Sequence, residues 1–180
     1  MGFDTYLRWL QETVAALKGQ GEEGRRKGIP AEVIFDRPAH LPEAYVPDDE
    51  AKLDVYLRLA RVDEPCEIEA LREELRDRFG PVPDEAHRLL LAAELRALGA
   101  RVGLETVLIK GDEARLTFRR DAHPRLTRLA AALDAVQFEA EVRRAVPLSL
   151  RLRRLGGEAI GSGLVRALAA VLQDLHPEEP

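Results

Sequence analysis

Val136-Gln-Phe-Glu-Ala-Glu-Val142 and Leu148-Ser-Leu-Arg-Leu-Arg153 alternate apolar and polar residues without a break. A period of two puts Val136, Phe138, Ala140 and Val142 on one face, with Gln137, Glu139 and Glu141 on the other. Leu148, Leu150 and Leu152 oppose Ser149, Arg151 and Arg153 in the same way. One buried face and one wet face specify antiparallel strands. Glu139 and Glu141 are expected across from Arg151 and Arg153, a pairing of opposite charge. Upstream, Thr106–Ile109 and Ala114–Arg119 read as a hairpin turning at Lys110-Gly-Asp-Glu113.

Before residue 104 the period is helical. Asp48 is a favoured N-cap, and Leu53, Tyr56, Leu57 and Ala60 line one face of a helix to Arg61. Pro65 opens a second helix, in which Ile68, Leu71, Leu75 and Phe79 face inward and which Gly80 closes. Pro81 and Pro83 make a stiff corner. Asp84 caps a third helix to Gly99 or Gly103. A helix at 124–135 and another from about Gly163 to Leu175 complete the pattern, and Ala31–Asp36 is a short strand. The expected fold is therefore α+β: three N-terminal helices followed by a small antiparallel sheet with helices packed on it. Residues 1–19 read as a separate terminal helix and 20–30 as a linker. The linker core, Gln20 to Gly28, has no apolar side chain. The main domain then covers 31–176, with a tail at 177–180.

Among 180 residues, 46% are hydrophobic and 33% charged, a globular composition rather than a disordered one. No apolar run nears the roughly 18 residues of a membrane span, and no signal peptide is evident. Cys66 is the sole cysteine, so no intrachain disulfide or cysteine metal cluster forms, and the expected location is cytoplasmic. Net charge is −5, but its distribution is uneven. Residues 48–80 hold 11 acids and 6 bases, whereas residues 101–154 hold 12 bases and 7 acids.

Catalytic constellations are missing from the sequence. His40, His87, His123 and His176 lack metal-ligand spacing. Ser162 sits in Ile160-Gly-Ser-Gly163, which lacks the first glycine of a nucleophile elbow. No phosphate loop occurs. The expectation is a non-catalytic monomer without metal or cofactor. Two charged features remain. Glu67, Glu73, Glu74 and Asp77 make an acidic face on the second helix, interleaved with Arg72, Arg76 and Arg78, and Glu74 and Asp77, three apart, are neighbours on its surface. They form either a solvated face or a docking patch for arginines. Arg143, Arg144, Arg151, Arg153 and Arg154 crowd twelve residues without an acid. They are either a solubilising surface or a contact for a phosphate backbone.

Leu41-Pro-Glu-Ala-Tyr45-Val-Pro-Asp48, then Leu53-x-x-Tyr56 with Leu59-Ala60, then Asp77-Arg-Phe-Gly-Pro-Val-Pro83 resemble the C-terminal domains of bacterial transcription-repair coupling factors (Mfd). Gly2-Phe3-Asp4-x-Tyr6 and the helix to Lys18 are similar to the end of the translocase lobe preceding that domain. The resemblance covers residues 1–18 and 33–100. It implies a piece of a longer protein, an ATP-dependent DNA translocase that displaces stalled RNA polymerase and recruits the excision-repair protein UvrA through a UvrB-like module. The domain itself is implied to be a lid that masks that module and restrains the motor. Its partner would be the UvrB-like module of the same protein, with UvrA and RNA polymerase reached indirectly and DNA only through the absent motor. Glu74 and Asp77 fall where the family places acids against arginines of the module. Both are expected on the solvent side, so reversing their charge should spare the fold. The competing reading is a nucleic-acid-binding accessory domain working through Arg143–Arg154.

Overall fold

The computed structural model describes residues 30–62, 64–143 and 146–173. The terminal helix expected at 3–18, nearly all of the linker and the tail at 177–180 lie outside these residues, as does Arg144. The order of elements is β1 (Glu32–Phe35), α1 (Asp49–Arg61), α2 (Pro65–Phe79), α3 (Asp84–Val102), β2 (Leu104–Lys110) and β3 (Glu113–Phe118). There follow α4 (Leu126–Ala135), β4 (Phe138–Arg143), β5 (Ser149–Arg154) and α5 (Ile160–Gln173).

Helix boundaries obey local chemistry. The Asp48 carboxylate accepts the Ala51 N–H at 2.8 Å, an N-cap bond that satisfies an otherwise orphaned donor. The Glu64 N–H donates to the Glu67 side chain at 3.0 Å, one half of a capping box ahead of Pro65. Gly103 ends α3 with φ +83, a conformation that a side chain would strain. Its N–H bonds the Gly99 carbonyl, and β2 starts at the next residue.

α3 holds two cores at once. Leu91, Leu95 and Leu98 pack with the sheet, α4 and α5. Ala86, Leu89, Leu90 and Ala93 pack with Leu41, Val46, α1 and α2. Such a helix is apolar on two sides, the pattern of a helix wholly inside a domain.

The sheet has the order β1-β2-β3-β5-β4. Neighbours are antiparallel except β1, which runs parallel to β2 with Ile34 opposite Leu108. The sheet is thus mixed, and the expectation of a wholly antiparallel sheet is corrected at this edge. The physical reason is the connection: three helices separate β1 from β2, and a long crossover permits a parallel neighbour where a tight turn does not. At the other edge Glu139 pairs with Arg153 and Glu141 with Arg151, the expected register. β4 begins at Phe138 rather than Val136, because Gln137 turns the chain with φ +59. Phe138 is buried, but Ala140 and Val142 are exposed, since the helices do not extend over the far end of this edge strand.

α5 also differs from expectation. The chain is helical from Ile160, through the glycines read as a break. A Cβ at Gly163 would lie 2.5 Å from Cζ of Phe138, so glycine lets α5 approach the sheet closely. Among the described residues no helix is long and apolar enough to cross a membrane.

Because α3 joins both cores, damage to one should unfold the other. Leu90, fully buried on the helical side, tests this. Leu90→Ala is expected to lose about 2–5 kcal/mol in urea denaturation. The loss should appear in a single transition seen equally by helix and sheet signals. Two separated transitions would show that the halves fold independently.

Candidate functional site

The motif residues of 41–83 are tied together by a few buried contacts. The Leu41 N–H donates to the Tyr56 hydroxyl at 3.0 Å, joining the segment before α1 to α1 itself. The Tyr45 hydroxyl lies 3.1 Å from the Leu75 carbonyl and 3.0 Å from the Gly80 carbonyl, both at the end of α2. It donates its single proton to one of them at a time. Burial pushes the Tyr45 hydroxyl pKa upward, so the proton stays on. The Tyr45 ring meets Phe79 edge-on at 5.9 Å, and the Arg78 guanidinium lies 5.0 Å from the centre of the Phe79 ring. Gly80, with φ +86, returns its N–H to the Arg76 carbonyl at 2.9 Å. The outer end of α2 is thereby fixed, and the acidic residues on it project from a rigid base.

Glu74 and Asp77 sit in different environments. Arg58 of α1 reaches the Glu74 carboxylate at 2.7 Å, and Arg78 reaches it at 3.0 Å. The Glu74 side chain is only 33% exposed. The hydrogen bond from Arg58, helped by Arg78, holds its pKa below the usual carboxylate value against the opposing effect of burial. Glu74 is therefore a strut between α1 and α2. Its charge reversal would set a cation between two arginines, so the expectation that reversing it spares the fold does not extend to this position. The Asp77 side chain is 77% exposed, and among the described residues the one cation paired with it is Arg76, whose Nε lies 4.0 Å away. Glu73, four residues before Asp77 and on the same outer face, is exposed and pairs with no cation among the described residues. The sequence places Glu73 on the acidic face of this helix, but it does not reveal Arg58. Arg58 lies on another helix, and no spacing rule reaches it. Glu73 was accessible, because positions 73 and 77 lie opposite the Ile68–Leu71–Leu75 stripe, whereas position 74 flanks that stripe.

The basic cluster is dispersed into pairs. Arg151 donates to Glu113 at 3.0 and 3.1 Å. The Arg153 Nε donates to Glu139 at 3.0 Å. The Arg154 Nε donates to Asp112 at 2.9 Å, and Arg143 lies 3.9 Å from Glu141. The acids come from the β2–β3 turn (Asp112), the start of β3 (Glu113) and β4. The sequence window of twelve residues contained none of them, although the register expected for Glu139 and Glu141 supplied part of the answer. Among the described residues no group of three or more His, Cys, Asp or Glu side chains could hold a metal ion. Cys66 is exposed in the first turn of α2.

Fold and site together define a small α+β domain that presents an exposed acidic helix face and an ion-paired sheet. Residues 35–129 match the family model of the TRCF domain, and the chain belongs to that family. It is 33% identical to the transcription-repair-coupling factor of Myxococcus xanthus over 184 aligned residues, which is 97% of this chain. It is 30% identical to that of Bacillus subtilis strain 168 over 122 residues, and 34% to that of Escherichia coli K12 over 116 residues, or 68% and 63% of this chain. The matched regions are 14%, 10% and 10% of those relatives' lengths. The fold is similar to a crystal structure of the C-terminal domain of transcription-repair coupling factor, with a TM-score of 0.72 and 24% identity. The match covers 82% of this chain and 95% of the other.

The Glu74 strut has a pH signature. A carboxylate whose folded pKa is depressed contributes stability above its unfolded pKa and loses it as pH falls through the folded value. Glu74→Gln should therefore cost up to about 1 kcal/mol at neutral pH, given the strut's partial exposure. In denaturation across acid pH the deficit should shrink as pH drops below the usual glutamate value of 4.5. A deficit that stays constant with pH would mean the ion pair contributes nothing.

Proposed function

We propose that the chain is a non-catalytic regulatory domain of a transcription-coupled DNA repair translocase. In this reading it covers the UvrB-like module of the same protein, withholds that module from UvrA and restrains the motor, acting in the cytoplasm. Membership of the TRCF domain family supports the parent protein. The observation that carries the interaction is Asp77: a carboxylate exposed on a rigid helix end, next to Glu73 and bordered by the Glu74 strut. An exposed carboxylate pair accepts guanidinium groups well. Exposed ion pairs are each worth only about 0–1 kcal/mol, which suits a lid that has to open. The alternative, a nucleic-acid contact through Arg143–Arg154, has less support. Arg143, Arg151, Arg153 and Arg154 each stand near a carboxylate, so little of their charge is free to displace counterions.

Asp77 is the cleaner position for a test, because Glu74 supports α1. Asp77→Lys is expected to alter stability by about half a kcal/mol or less. It should weaken binding of the isolated UvrB-like module by about tenfold, since like charges across an interface are costly. In the intact parent protein the same change should raise UvrA affinity without polymerase. Unchanged affinity in both assays, with the variant folded, would exclude this face as the lid contact.

A further inference from the structure

The outer face of the sheet carries no helix among the described residues. Leu91, Leu95 and Leu98 of α3 and the buried apolar side chains of α4 and α5 pack with the inward residues of the strands. On the outer face the registers place Ile34, Leu108, Arg115, Arg151 and Glu141 in one row across the five strands. Most of this face neutralises itself. Arg151 turns to Glu113, Arg153 to Glu139, and Arg143 lies near Glu141. Arg115 takes no part in these pairs, and neither does Lys110 at the end of β2 on the same face. Arg115 is exposed, it stands directly opposite Arg151, and it meets no carboxylate among the described residues. Like charges directly opposite on a sheet destabilise it. On its other side Arg115 faces Leu108, 36% exposed, which faces Ile34, 42% exposed. A cation without a carboxylate partner mid-sheet thus adjoins two partly exposed aliphatic side chains, and nothing among the described residues covers their exposed parts.

We propose that Ile34, Leu108 and Arg115 form a docking site for a protein segment that presents a large apolar side chain beside a carboxylate. The carboxylate would supply the partner that Arg115 lacks and relieve its repulsion with Arg151. The apolar side chain would cover Leu108 and Ile34. A nucleic-acid strand fits less well. Its phosphates would approach Glu113, Glu139 and Glu141 on the same face, and its backbone has no group to cover the aliphatic pair. The site lies on different elements from α2 and does not rest on the lid reading.

The test is selection of a random-peptide display library on the full 180-residue chain, followed by affinity measurement on wild type, Arg115→Glu and Leu108→Thr. The enriched peptides should share an acid adjacent to an aromatic or large aliphatic residue. Their affinity should fall about tenfold or more in each variant. Amide shifts in wild type should centre on Ile34, Leu108 and Arg115. Arg115→Glu turns a like-charge pair with Arg151 into an opposite one, so its melting temperature should equal or exceed that of wild type. A loss of binding in that variant is then not a loss of fold. No enrichment, peptides without the acidic–apolar pair, or affinity retained in Arg115→Glu would overturn the proposal. So would shifts on this face caused by a short DNA duplex with steep salt dependence, or self-association of the free chain abolished by Arg115→Glu.

Discussion

The domain depends on α3 being apolar on two sides. Leu89, Leu90 and Leu91 are consecutive and all buried, so the helix cannot present a single stripe. Leu90 and Leu89 belong to the helical core, and Leu91 to the sheet core. A helix used as a common wall fixes the position of everything on either side. α1 and α2 are held on one flank, and the sheet with α4 and α5 on the other. β1 closes the arrangement by running back beside β2, so the segment that precedes the helices is anchored to the sheet that follows them. The TRCF family motifs of residues 41–83 lie on the helical flank. Their Tyr56 and Tyr45 hydroxyls pin the extended segment to α1 and to the end of α2.

Charge in this chain is plentiful and mostly spent internally. Arg151, Arg153 and Arg154 reach carboxylates on neighbouring strands or turns, and Glu74 is shared between two helices. Such exposed pairs contribute little each and are screened by salt. Asp77 with Glu73 on α2, and Arg115 on the sheet, are carriers of surface charge that the described interior does not balance. They are opposite in sign and lie on separate elements. A domain of this kind offers two chemically different surfaces.

Much of the fold was legible in the sequence because its signals are periodic. The alternation at 148–153, the Asp48 cap and the Pro65 start all reappear in the structure. What escaped were features that depend on tertiary contact. The parallel pairing of β1 has no local signature. The helical state of Ile160-Gly-Ser-Gly163 follows from close packing against Phe138, which overrides the usual reading of glycine as a breaker. The site was partly legible. The register of Glu139 and Glu141 against the arginines was readable from alternation, but Asp112 of the β2–β3 turn and Glu113 at the start of β3 were hidden from a linear window. The pairing of Glu74 with Arg58 spans two helices and could be found only in three dimensions.

The central claim is that the outer face of α2 docks onto the UvrB-like module. The most direct measurement is backbone amide mapping of the isotope-labelled chain during titration with that module. The account predicts perturbations concentrated at Glu73, Arg76 and Asp77, smaller ones at Arg58 and Arg78, and none along β5. Perturbations confined to the sheet, or a titration without any change at the end of α2, would contradict it.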